Sequence, residues 1–88
     1  MSTLTDDEKT ILTNALPTGD IYMMRTDQTG DFVRAGRFDF FDQSDPSLQA
    51  RGIEALESLM RRGLARHESK QLYKLTGTGF ERAKENAA

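Results

Sequence analysis

The chain has 88 residues, 36% hydrophobic and 30% charged, with a net charge of −2, a mean hydropathy of −0.63 and no cysteine. That length allows one domain burying roughly 60–65% of its unfolded surface, and the missing cysteines exclude disulfides and thiolate metal sites. No apolar run approaches the ~20 residues that span a bilayer, and Asp6, Asp7 and Glu8 stand where a signal peptide needs a basic start; a cytoplasmic protein with no membrane partner is expected.

Thr5-Asp6-Asp7-Glu8 has the spacing of a capping box, with Thr5 as N-cap and Glu8 reaching back to it. Ile11, Leu12, Ala15 and Leu16 follow as an apolar stripe. Pro17 and Gly19 end it, because the residue before a proline is pushed out of the helical region. The pattern predicts a first helix over about residues 6–16. Ile21 to Thr26 and Asp31 to Ala35 are rich in strand-forming residues, and Asp27-Gln28-Thr29-Gly30 between them has the composition of a turn. A β-hairpin is predicted. Its alternation is imperfect, since Ile21, Tyr22, Met23 and Met24 are all apolar: either one strand is covered on both faces or Tyr22 is partly exposed.

Gly36 to Asp42 holds three of the five phenylalanines, with Phe38 and Phe40 on one side if extended and Phe41 on the other. The rings are expected to seal the core between the hairpin and the next helix. An exposed aromatic platform for bases or for a partner protein is the alternative.

Asp45 to Leu64 reads as one capped amphipathic helix, around which the rest of the chain is organised. Asp45 suits the N-cap and Pro46 the first helical position, where a missing N–H costs nothing. Gly63 suits the left-handed residue after the helix, with Leu64 packing back on Leu59. Ile53, Leu56, Leu59, Met60 and Leu64 share one side, and Gly52 on that side is expected to admit another backbone closely. The opposite face carries Arg51, Glu54, Ser58 and Arg61, flanked by Glu57 and Arg62. Beyond it, Ala65 to His67 and Leu72 to Leu75 can pair around Glu68-Ser69-Lys70-Gln71. Thr76 is then the N-cap of a last helix through about Glu85, whose Phe80 and Ala83 dock on the first helix. One domain covers residues 1–88, with fraying expected at about 1–4 and 86–88.

The run Leu56, Leu59, Gly63-Leu64, Tyr73, Leu75-Thr76, Gly79 resembles the second half of bacterial winged-helix domains. There, L-x-x-L-x-x-x-G-L is followed by a two-stranded wing and then Y-x-L-T-x-x-G opening a helix. The resemblance implies an α+β winged-helix-like fold in the order helix, β-hairpin, long helix, β-wing, short helix. It also implies a DNA-binding regulator whose central helix enters the major groove, with Arg51, Ser58, Arg61 and Arg62 facing duplex DNA. Arg66, His67, Lys70 and Lys74 would supply wing contacts. The N-terminal half departs from that family, because strand-like sequence stands where a second helix belongs. Its pattern is similar to that of small winged-helix-like modules of bacterial and phage proteins, some appended to defence effectors.

Electrostatics lend the DNA reading mild support. Residues 1–45 hold nine acids and four bases, for −5, and residues 46–88 hold five acids and eight bases, for +3. Glu54 and Glu57 beside the arginines weigh against it, and a protein–protein or dimerisation module without nucleic acid is the alternative. Catalysis is not expected. The lone histidine, His67, reads as a surface residue, no nucleophile motif or phosphate loop is present, and the chain is too small to enclose a typical substrate pocket. Asp39, Asp42 and Asp45 recur every three residues without calcium-loop spacing, so no metal and no cofactor are expected.

Overall fold

The computed structural model describes residues 3–27 and 30–87. In chain order the elements are α1 (Asp6–Ala15), β1 (Asp20–Met24), β2 (Phe32–Ala35), β3 (Phe38–Asp39), α2 (Ser47–Arg61), β4 (Ala65–Ser69), β5 (Leu72–Leu75) and α3 (Gly77–Ala87). The fold is α+β, with three helices and one five-stranded antiparallel sheet in the order β3-β2-β1-β5-β4.

That order corrects the expected one. The two predicted hairpins form a single sheet, because β1 pairs with β5 through Asp20–Lys74, Ile21–Tyr73 and Tyr22–Leu72. A fifth strand also stands in the phenylalanine-rich stretch. Gly36, at φ +59, reverses the chain so that Phe38 lies opposite Ala35 and Asp39 opposite Arg34. Gly30 has a left-handed φ of +86, as the predicted turn requires; Gln28 and Thr29 lie outside the described residues.

Local chemistry sets most boundaries. Thr5 Oγ1 accepts the Glu8 N–H (3.1 Å) and Glu8 Oε1 accepts the Thr5 N–H (2.8 Å), completing the capping box. Regular α2 begins one residue beyond Pro46, and Asp45 Oδ1 accepts the Ser47 N–H at 3.2 Å. At its far end Gly63 takes φ +74, with Gly63 N–H bonded to Met60 O (3.1 Å) and Leu64 N–H to Leu59 O (2.9 Å). Thr76 Oγ1 accepts the Gly79 N–H at 3.0 Å and caps α3.

All three helices pack on one face of the sheet. Strand register places Ile21, Val33, Ala35, Ala65 and Leu75 on that face, where each is at most 3–4% exposed. Ile11, Leu12 and Ala15 of α1, Leu56 and Leu59 of α2, and Ala83 of α3 close over them. Each fully buried branched side chain contributes about 1.5–3 kcal/mol of transfer free energy. The buried side of α2 is centred on Gly52, Ala55, Leu56 and Leu59, so Ile53 and Met60 are only half-buried. What approaches Gly52 is the Phe40 side chain rather than a backbone: a Cβ there would lie 2.6 Å from Phe40 Cβ and Cγ.

The three phenylalanines divide their work. Phe40 is buried in the core, Phe38 stacks edge-on against it at 4.8 Å between centroids while remaining 37% exposed, and Phe41 turns away to meet Phe32 at 5.3 Å. Tyr22 is 41% exposed, which resolves the imperfect alternation of β1 in favour of an open outer face.

Candidate nucleic-acid interface

The surface assigned to DNA runs from α2 to the β4–β5 hairpin, and its centre is built on a buried acid. Glu8, the third residue of α1, is 1% exposed. Its Oε2 accepts a 2.7 Å hydrogen bond from Ser58 Oγ and lies 3.3 Å from Arg62 Nε, both on α2 or its C-terminal end. Burial pushes the Glu8 carboxyl up, but the Thr5 N–H, the Ser58 hydroxyl and the Arg62 charge together outweigh it and hold the group below its ordinary value. Arg62 also donates to Thr3 O at 3.5 Å. Ser58 and Arg62 are therefore turned toward α1.

Arg51 is half-exposed and makes a two-pronged contact with Asp7, Nε to Oδ2 at 3.1 Å and Nη2 to Oδ1 at 2.8 Å. The hydrogen bond from this guanidinium to Asp7, and then the carboxylate's charge, raise the pKa of Arg51. Arg61 is exposed, with no ion pair or hydrogen bond to its side chain among the described residues. Arg51 and Arg61 border an open cleft of about 220 Å³ between α1 and α2, with Asp7, Glu8 and Glu54 on its walls. Three carboxylates beside two guanidinium groups leave it without a positive surplus.

The hairpin is arranged similarly. Arg66 Nη1 is 2.5 Å from Glu68 Oε1, and Lys74 Nζ donates to Asp20 Oδ1 at 2.8 Å. That hydrogen bond to Asp20, and then its charge, raise the pKa of Lys74. His67 Nε2 lies 2.8 Å from Lys70 O, so this nitrogen carries the proton and donates, while the ring rests 4.9 Å from Tyr73. Lys70 sits at the turn with φ +40, and its ammonium has no partner among the described residues. Of the eight residues assigned to DNA, Arg61 and Lys70 alone present side chains that the fold leaves uncommitted.

The buried role of Glu8 escaped the sequence. Its spacing from Thr5 predicted the local cap, but nothing marked Ser58 and Arg62 as partners some fifty positions away. The three recurring aspartates are also committed to local contacts: Asp39 to Arg34 at 2.6 Å, Asp42 to Ser44 and Asp45 to Ser47. The Ser44 hydroxyl and N–H lower the Asp42 pKa. Among the described residues no group of three or more His, Asp or Glu is placed to hold a metal ion, and no helix is long and apolar enough to cross a membrane.

Compared with known proteins, the chain matches no protein-family model, no curated protein and no solved structure, so its own geometry carries the functional argument.

Proposed function

We propose that this chain is a non-catalytic recognition module of winged-helix-like architecture whose partner is a protein rather than duplex DNA. The architecture is supported by the succession of a capped helix, a Gly-Leu stop, a two-stranded hairpin and a Thr-capped helix, with β2 and β3 standing where a second helix belongs. A regulatory or defence-associated setting is the one its sequence resemblance implies.

The observation that carries the choice of partner is the commitment of the candidate cations. Arg51, Arg62, Arg66 and Lys74 each face a carboxylate of this same chain, within 2.5–3.3 Å. Exposed ion pairs are individually weak, about 0–1 kcal/mol, and a phosphate could displace one. The potential is a different matter, because a duplex interface needs a positive footprint and here these four charges are cancelled in place, leaving Arg61 and Lys70. Catalysis is disfavoured by the only histidine being engaged with Lys70 O on an exposed hairpin, with no hydroxyl hydrogen-bonded to its ring among the described residues.

Fluorescence anisotropy with labelled random duplex DNA, at low and near-physiological salt, tests the choice. The expected result is no saturable binding at tens of micromolar protein. Binding at low salt that weakens steeply with added salt and disappears in Arg61→Glu/Lys70→Glu would restore the DNA reading.

A further inference from the structure

The helices leave the outer face of the sheet uncovered, and that face has an apolar centre of its own. Strand register puts Tyr22, Met24, Phe32 and Leu72 together there; Phe32 is itself only 8% exposed, with the Phe41 ring against it, and Tyr22 is the most open of the group. None of the five belongs to the helix-side core. They form an oblique strip across the β3 side of the sheet, β2, β1 and β5. At about 4.8 Å per strand spacing the strip is roughly 14 Å long, the rise of two to three helical turns.

The charges around the strip fall into two kinds. Within the face, Arg34 is paired with Asp39, Lys74 with Asp20 and Arg66 with Glu68, leaving no run of free cations for a phosphate backbone. At the end nearest the β4–β5 turn, Arg25 and Lys70 share a cleft with Gln71, and neither side chain has a partner among the described residues. The open face is thus apolar and locally neutral at its centre, with two free positive charges on one side. The sheet's edges are poor templates for an added strand: β3 has two residues, and β4 carries a register irregularity between His67 and Ser69 flanked by charges.

We propose that this strip docks an amphipathic helix of a partner protein, its apolar side on Phe41, Tyr22 and Leu72 and an acidic flank against Arg25 and Lys70. The proposal rests on the reading of the chain as a protein-recognition module and names the site and the chemistry of its partner. Anchors at i, i+3 or i+4, and i+7 would span the strip, and one or two Asp or Glu on the flank would meet the free cations.

The test is selection of random 16-residue peptides, displayed and then synthesised with a fluorescent label, against the full chain. Enriched peptides are expected to show helical apolar spacing with acidic residues on one flank. Their affinity should fall at least tenfold in Tyr22→Ser and several-fold in Arg25→Glu, a loop substitution that leaves the sheet intact, as circular dichroism would verify. Enrichment of peptides that bind both variants as tightly as the parent chain overturns the site while leaving the recognition reading in place. Failure to enrich any peptide, or saturable binding of single-stranded oligonucleotide abolished by Tyr22→Ser, overturns the proposed occupant.

Discussion

Glu8 combines three tasks at one position: it completes the cap of α1, holds Ser58 of α2, and neutralises Arg62. Because its folded-state pKa lies below the ordinary glutamate value, the unfolded chain binds more protons in that range, and stability rises with pH there. The contribution is present above about pH 4.5 and is lost as pH falls below it. Glu8→Gln keeps the size but removes the charge; it is expected to cost about 1–3 kcal/mol at neutral pH. Urea denaturation between pH 3 and 7 should also show a flatter acid limb in the variant. A residue-scale test of packing is Gly52→Ala. Its Cβ would meet the root of the buried Phe40 side chain at 2.6 Å, where no flexible tip can yield. About 1–3 kcal/mol of destabilisation is expected by thermal melting, with no recovery when Phe40→Leu is added, because leucine keeps the Cβ and Cγ that clash. The closeness of a neighbour at Gly52 could be read from its place on the apolar side; its identity could not, since Phe40 lies outside α2 and no spacing within the helix points to it.

At the scale of elements, what was legible was what is local. Thr5, Gly63 and Thr76 act over three or four residues, so their caps follow from spacing alone. The rotation of α2 was not legible. Periodicity grouped Ile53 and Met60 with the core, but the Ser58–Glu8 bond and the small Ala55 turn the helix toward α1. Nor was β3, whose two residues carry no alternation to detect. Two glycines at the ends of neighbouring elements separate conformational from steric demand. At Gly63 an added Cβ meets nothing within 4 Å but the backbone is left-handed; at Gly79 it would lie 1.9 Å from Leu64 O. Gly63→Ala is therefore expected to cost about 1 kcal/mol, and Gly79→Ala about 3 kcal/mol or more because α3 must shift from its seat. Chemical denaturation of the two variants should preserve that order.

For the whole molecule, the charge asymmetry between the two halves of the sequence is bridged by ion pairs that join one half to the other. The fold sets the acidic first turn of α1 against the arginines of α2, and Asp20 of β1 against Lys74 of β5. Linear order therefore misled: acids and bases far apart in the chain are neighbours in space. With two arginines against two glutamates α2 offers no positive footprint, whereas the uncovered sheet has an aromatic centre that could be suspected from Tyr22 and Phe41 but not assembled without the register.

The pairing of β1 with β5 also bears on how the chain is made. The strand that flanks β1 on one side follows it closely, but the strand on its other side is the last of the five to be synthesised. Until residues 72–75 have left the ribosome, β1 has one free edge and β4 has no neighbour at all. Helix α2 and its stop can form earlier from local contacts, but closure of the sheet waits on the long connection between β1 and β5. On the ribosome, the β3-β2-β1 half of the sheet can therefore pair before β5 arrives to join β4 to it.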